Sequence, residues 1–534
     1  MVWAAAVLLA AAPAQAKKFY ADDPLEKEPK PLPVKEVKVR NLSEAYDLFY
    51  HMFKKSEEEK GRQIGKPPAQ AINTLGEAPD SAWYHTRHGM RPMSIEELVR
   101  GPGDSRPPNA AGPWRIVSAK QSGVTPGFTI EDSTGTRYLL KFDAPRYQEL
   151  ASAADVIGCK FFYALGYSVP QNYIVRFRRE QLTLDRQSTF RKVNGKRLTL
   201  GQRDVDELLS QMPTDREGRY RALASRFIEG KLVGQFRYYG TRSDDPNDIV
   251  PHELRRDLRG LFVFCAWLNH DDSRDINTLD ALVEEDGTRY LKHHLIDFGA
   301  ILGSNTYRPD SPRNGFEYLF DPKPAALRFF TLGLAVPRWS RSAHYPHYPS
   351  VGRIEYELFE PDSWKPEYPN VAFRNRDPGD TFWAAKQVMA FRDEHIRAMV
   401  KTGQYSDPAA EDWLVRCLIA RRDKVGRVYF SRVLPLDRFQ VEEGRLKFQD
   451  LGAQYGFAPA RQYTVEWSAF HNDSEKHTPI PEAKSFELPK QIEGARDGEY
   501  FAASIRGDDP AKTVVVYLRK TGIGTKIVGV DRTW

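Results

Sequence analysis

From Trp114 onward, apolar and polar residues first alternate in short runs, a period that predicts strands. WRIVSAK (114–120), GFTIED (127–132) and TRYLLKF (136–142) carry the apolar and β-branched content, and the turn DSTG separates the second from the third. The period then lengthens. Leu150, Ala154, Ile157, Phe161 and Leu165 recur every three or four residues, which predicts a helix from Pro145 to Leu165 with Pro145 in its first turn. GYSVPQ ends that helix and NYIVRF is the next strand. Residues 179–222 read as a charged insertion, after which ALASRFIEG resumes the strand pattern. Pro251 opens a helix through LRRDLRGLFVFCAWL, whose later half is apolar enough to be buried on all sides. A long aromatic, loop-rich stretch (300–375) follows, and helices at about 380–402 and 408–424 close the region.

The two ends of the chain have different patterns. Met1–Ala16 is apolar and finishes in Ala14-Gln15-Ala16, the form of a signal peptide, although no basic residue precedes the apolar run. It is too short to span a bilayer as a helix. The expected location is therefore periplasmic or extracellular. Residues 17–40 are charged and Pro-rich, and 17–113 as a whole reads as an N-terminal extension, partly disordered, ending in the breaker cluster GPGDSRPPNAAGP. In the last hundred residues, RLKFQDL, QYTVEWSAF, GEYFAASI, KTVVVYLRK and KIVGVDRTW are short strands between Gly or Asp turns. They predict an all-β, sandwich-like domain over 431–534.

Composition narrows the function classes. With 534 residues, 41% of them hydrophobic and 28% charged, the chain is long enough for two or three globular domains. The net charge of +6 is small for that length and gives no reason to expect a nucleic-acid partner. Cys159, Cys265 and Cys417 are too far apart in sequence for a zinc motif or a disulfide framework. No Gly-x-Ser-x-Gly or His-Glu-x-x-His occurs.

The chemistry concentrates in AWLNHDDSRDINTLD (266–280) and HHLIDFGAILG (293–303). His270, Asp272 and Asn277 fit H-x-D-x-x-x-x-N, and Asp297-Phe298-Gly299 is a D-F-G. Phosphoryl transfer uses these residue types: an aspartate that orients the nucleophile's proton, and an asparagine and a second aspartate that hold metal against phosphates. Magnesium takes hard oxygen ligands, which Asn277 and Asp297 supply. Residues 281–292, with the turn EDGT, predict a hairpin that carries both motifs to one side of a cleft. Upstream, Lys141 ends a strand and Glu149 lies on the helix after it, the setting of a phosphate-contacting lysine held by a carboxylate. His270 is read as holding the loop. Adjacent His293 and His294 face opposite sides of a strand and are poor joint ligands.

This order of elements resembles the atypical branches of the protein-kinase-like superfamily. KFD followed by a helix ending in ALGYSVPQNY is similar to the HipA-type serine kinases and the phosphatidylinositol-kinase-like group, where an LG-x-x-VP element links helix to strand. The resemblance implies an α+β, two-lobed kinase-like domain over 114–430, with a small lobe at about 114–230 and a large lobe at about 231–430. It implies Lys141 as phosphate contact with Glu149 as its partner, Asp272 with His270 as the catalytic-loop pair, and Asn277 and Asp297 as metal ligands. The cofactors implied are ATP and Mg2+, and the acceptor is a hydroxyl on a protein, sugar or lipid head group. The chain departs from the eukaryotic pattern in two places. Asp271 stands where an arginine is usual, and only Gly123 and Gly127 are available to cover the phosphates. A catalytically inactive scaffold whose β domain binds an envelope polymer or protein is the alternative.

Overall fold

The structure is a computed structural model that describes residues 17–23, 25–54, 67–120, 126–191, 197–341 and 346–534. The apolar leader Met1–Ala16 and Gly123 lie outside the described residues. The chain divides into two compact units, one of residues 26–72 and 78–430, the other of 1–25, 73–77 and 431–534.

In the larger unit the strands are β1 (Trp114–Lys120), β2 (Gly127–Glu131), β3 (Arg137–Lys141), β4 (Asn172–Phe177), β5 (Leu182–Arg191), β6 (Arg197–Thr199) and β7 (Tyr220–Arg226). They form one sheet in the order β4-β7-β3-β2-β1-β5-β6, antiparallel except for the parallel pair β1–β5. Alternate residues Trp114, Ile116, Phe128, Ile130, Tyr138 and Leu140 form its buried face. The stretch 179–222 is not an insertion in this architecture. It supplies β5, β6, the helix Gln202–Ser210 and the first residues of β7, with Leu182, Leu200, Val205 and Leu209 entering the same core.

The helix predicted from Pro145 begins at Leu150 and ends at Ala164. Asp143 sets that start: its carboxylate accepts from Glu149 N (3.0 Å) and Ser152 N (2.8 Å), capping the helix from the end of the preceding strand. Pro251 is followed by a single 3₁₀ turn, and the buried helix runs from Arg256 to Leu268. β8 (Lys231–Leu232), before this helix, and β9 (Thr278–Glu285) and β10 (Thr288–Leu295), after it, form a three-stranded sheet, and the helices Pro378–Met389, Asp393–Lys401 and Pro408–Phe430 come later in the chain. Part of the N-terminal extension is packed rather than loose: Val34 and Val37 are buried against Val233, Leu282 and Leu291.

The smaller unit contains β11 (Leu436–Glu442), β12 (Arg445–Asp450), β13 (Thr464–His471), β14 (Lys476–Pro479), β15 (Tyr500–Arg506), β16 (Thr513–Thr521) and β17 (Gly524–Arg532). β11 and β12 are a hairpin, and the other five strands are one antiparallel sheet in the order β14-β13-β15-β16-β17. Leu436 and Leu446 of the hairpin share a core with Val465, Trp467, Ile505 and Val516 of the sheet. Phe19, from the start of the N-terminal extension, packs with Phe470, Ala502 and Tyr517.

Candidate functional site

β3 lies inside the sheet, with Lys141 opposite Gly127 of β2 and Leu223 of β7. Lys141 Nζ is 2.8 Å from Asp297 Oδ1 and 3.4 Å from Asp155 Oδ2. Asp155 sits on the helix Leu150–Ala164 and is 2% exposed, and its other oxygen accepts from Asn172 Nδ2 at 2.7 Å. Burial opposes the charge on Lys141, but Asp297 and Asp155 together hold it above the ordinary lysine range. Burial, with Asp297 nearby, lifts Asp155 to about 6 against the pull of Lys141. A narrow cavity is lined by Lys141, Phe142, Asp155, Leu223, Asp297 and Thr306.

The helix carboxylate that meets Lys141 is thus Asp155, not Glu149. Glu149 precedes the first helical residue with a left-handed φ of 70°. Its side chain accepts from Ser406 N (2.9 Å) and Ser406 Oγ (3.2 Å) instead. Gly127 has a backbone role: a Cβ there would come within 2.0 Å of Leu140 O, so its lack of a side chain permits the β2–β3 approach.

The helix Arg256–Leu268 ends at Asn269, whose φ of 53° turns the chain into the loop 269–277. Arg421 caps this end, donating from Nε to Trp267 O (2.8 Å) and from one terminal nitrogen to Ala266 O (2.6 Å). His270 Nδ1 lies 3.1 Å from Ala300 O, and its ring packs against Phe162 and Phe298. Burial lowers His270 to about 4, so the ring is neutral at pH 7 and ties the loop to the D-F-G segment. Asp272 is ion-paired with Arg274, which also lies 3.7 Å from Glu367. Burial pushes Asp272 up to about 7, with Arg274 opposing the shift.

Asn277 Nδ2 donates to Asp272 O at 2.7 Å, which commits the amide nitrogen and leaves Oδ1 as the donor atom for a metal. β9 starts one residue after Asn277, and β10 ends two residues before Asp297. The tight turn at Asp286 (φ 50°) and Gly287 (φ 71°) folds the strands into a hairpin, and Ile296 N donates to Asn277 O at 3.0 Å. The two candidate metal ligands therefore lie at the same end of one hairpin, as the EDGT turn predicted. Their hard oxygen donors fit a divalent cation such as Mg2+. Asp297 has a φ of 63°, and Phe298 is fully buried and stacked on Phe162 at 4.9 Å between ring centroids. Gly158 allows this contact, since a Cβ there would lie 2.9 Å from Phe298 Cβ.

Sequence reasoning missed Asp155, although a lone carboxylate in the apolar run LASAADVIGCKFF was a usable signal. It also missed a buried acidic pair beside the loop. Asn314 Nδ2 donates to Asp271 Oδ2 (2.5 Å) and to Asp310 Oδ1 (3.0 Å), and both carboxyls lie above the ordinary range because of burial and, for Asp310, the neighbouring Asp271.

No family model matches the chain, and the search of curated proteins found no match. Among solved structures, the chain is similar to the Golgi casein kinase with Mn/ADP bound. The identity is 11% over 73% of this chain and 89% of that chain, with a TM-score of 0.25. A second structure of the Golgi casein kinase matches at 11% identity over 78% and 94% of the two chains, with a TM-score of 0.24. Among the described residues no helix is long and apolar enough to cross a membrane.

Proposed function

We propose that the larger unit is an atypical, kinase-like phosphotransferase that uses a metal–ATP complex and a hydroxyl acceptor. The observation that carries this reading is the meeting of Lys141, Asp155 and Asp297 across 156 residues of sequence, with Asn277 at the same end of the hairpin that leads to Asp297. In it, Lys141 contacts the phosphates and is kept charged and oriented by Asp155. Asn277 Oδ1 and the Asp297 carboxylate hold the divalent cation, which when bound neutralises charge on the phosphates. Asp272 accepts a hydrogen bond from the acceptor hydroxyl and takes its proton, a task suited to a carboxylate raised to about 7. Arg274 and the Asn277 amide hold Asp272 in place. The chain's contribution is positioning and charge stabilisation, with no covalent intermediate.

The HipA-type relationship rests on LG-x-x-VP, and export rests on the apolar leader Met1–Ala16; both belong to this proposal. The test is a thermal-shift titration of residues 17–534 with ATP, with and without magnesium. Ligand at a hundred times its dissociation constant adds about 2.7 kcal/mol to stability. A magnesium-dependent shift supports the reading. No shift at saturating ATP and magnesium overturns it in favour of a non-catalytic scaffold.

A further inference from the structure

Away from Lys141, the described residues bring one histidine and two carboxylates together at Asp47, His51 and Asp275. Asp47 and His51 are four residues apart on the helical stretch that starts at Glu44 after the Ser43 cap, so they share a face. Asp275 belongs to the short turn Asp275–Asn277, in the loop that also carries Asp272 and Asn277. All three are buried, at 3%, 5% and 2% exposure.

Protein hydrogen bonds alone leave this group poorly satisfied. His51 Nε2 lies 3.2 Å from Asp275 Oδ2 and 3.4 Å from Asp47 Oδ1. One nitrogen carries at most one hydrogen, and both distances exceed the roughly 2.7–2.9 Å of a charge-assisted bond. Asp47 Oδ2 and His51 Nδ1 are buried with no hydrogen-bond partner. Even with a protonated imidazole the three side chains carry a net charge of about −1 in a buried place. A divalent cation beside a neutral imidazole brings the group to zero.

The spacing also fits a metal. Ligands about 2.0–2.1 Å from a tetrahedral zinc ion are roughly 3.3–3.4 Å apart, and the two separations of His51 Nε2 from the carboxylates, 3.2 and 3.4 Å, bracket that range. Asp275 Oδ1 accepts from Tyr238 N at 3.0 Å, which fixes the carboxylate as an outer hydrogen bond does in metal sites. The rings of Tyr50 and Tyr239 stand edge-on to His51 and shield it from water.

We propose that Asp47, His51 and Asp275 form a zinc site, with Asp47 Oδ2 or a water in the fourth position. The ion ties the helical stretch at 44–54 to the loop of Asp272 and Asn277. The site is structural, and it stands whether or not the chain transfers phosphate.

The experiment uses tag-free protein of residues 17–534, stripped with a chelator and titrated with zinc, with cobalt as a spectroscopic probe. One zinc should bind per chain in the presence of excess magnesium, and cobalt should give the intense visible bands of a tetrahedral site. Zinc-edge absorption on the wild type should show one imidazole among oxygen neighbours, a result that does not depend on any variant folding. His51→Gln and Asp47→Asn should each weaken zinc binding about 100-fold or more, while Asp297→Asn leaves it unchanged. No zinc uptake by the wild type, an oxygen-only metal environment, or uptake unaltered in both folded variants overturns the proposal, leaving His51 as an imidazolium between two carboxylates.

Discussion

Asp155 lies 3.4 Å from Lys141 Nζ, on the second turn of the helix whose first turn Glu149 precedes. That one relationship separates two acidic residues that follow Lys141 in sequence, Glu149 eight residues on and Asp155 fourteen. Asp155→Asn keeps an acceptor for Asn172 but removes the charge. It should weaken metal–ATP binding about tenfold or more, the loss of a charge-assisted contact. Glu149→Ala should leave nucleotide binding unchanged and cost about 1 kcal/mol of stability through the Ser406 bonds. Calorimetric titration of both variants checks the pair, and equal losses in the two would contradict the assignment.

Asp297 differs from Asp155 in exposure, its carboxylate being 49% open to solvent against 2%. Asp297→Asn should therefore fold normally and lose the magnesium-dependent part of the ATP thermal shift. A full shift retained by the variant would remove Asp297 from the metal site.

Asp272 sits on the loop but does not touch Lys141 or Asp297 in the ion pairs of the site. Asp272→Asn should keep magnesium–ATP binding within about twofold and lower phosphate release or self-phosphorylation by a factor of about 10² to 10⁴. Binding and turnover lost together would point to a structural role for Asp272.

Gly158 is one of the points, with Phe162, where the helix and the D-F-G segment touch. The added methyl of Gly158→Ala would meet Phe298 Cβ at 2.9 Å and Ile301 Cγ2 at 3.2 Å. Overpacking of this kind costs about 1–3 kcal/mol. Because the strain falls on the residue next to Asp297, the nucleotide shift should shrink as well. Chemical denaturation and the ATP titration measure the two effects separately.

What the sequence makes legible follows from the range of each interaction. Asn277 and Asp297 are readable because their motifs are local and the turn between them, Asp286-Gly287, has its own residue signature. Strands of the smaller unit are readable where alternation is regular, as in β13 and β16. β11 escapes because Arg438 adopts a φ of 53° and the register with β12 slips between Asp437 and Gln440, which breaks the period of two. The packing of Phe19 against Phe470 joins residues far apart in the chain, and no local pattern encodes it. Glu149 and Asp155 are both acidic residues at a plausible spacing from Lys141. Only the helix start, set by Asp143, decides which of them faces the lysine.

Asp271 and Asp310 provide a pH-dependent test of the loop's surroundings. Asn314 bridges their carboxyls, Asp272 and Glu367 add negative charge around Asp271, and burial is the first cause of both upward shifts. Their folded values lie above the roughly 3.9 of an unfolded aspartate. The folded state therefore holds protons that the unfolded state has released. Its stabilisation by these groups is complete below about pH 4 and is lost as pH rises through the folded values. Asp271→Asn keeps an oxygen to accept from Asn314 and removes one of the two charges. The variant should melt higher than the wild type at pH 7–8, by about 1 °C for each kcal/mol regained in a unit of this size, and the advantage should vanish towards pH 4. Melting curves across that range decide the matter: parallel profiles for the two proteins would mean that the acidic pair does not set the stability of this loop.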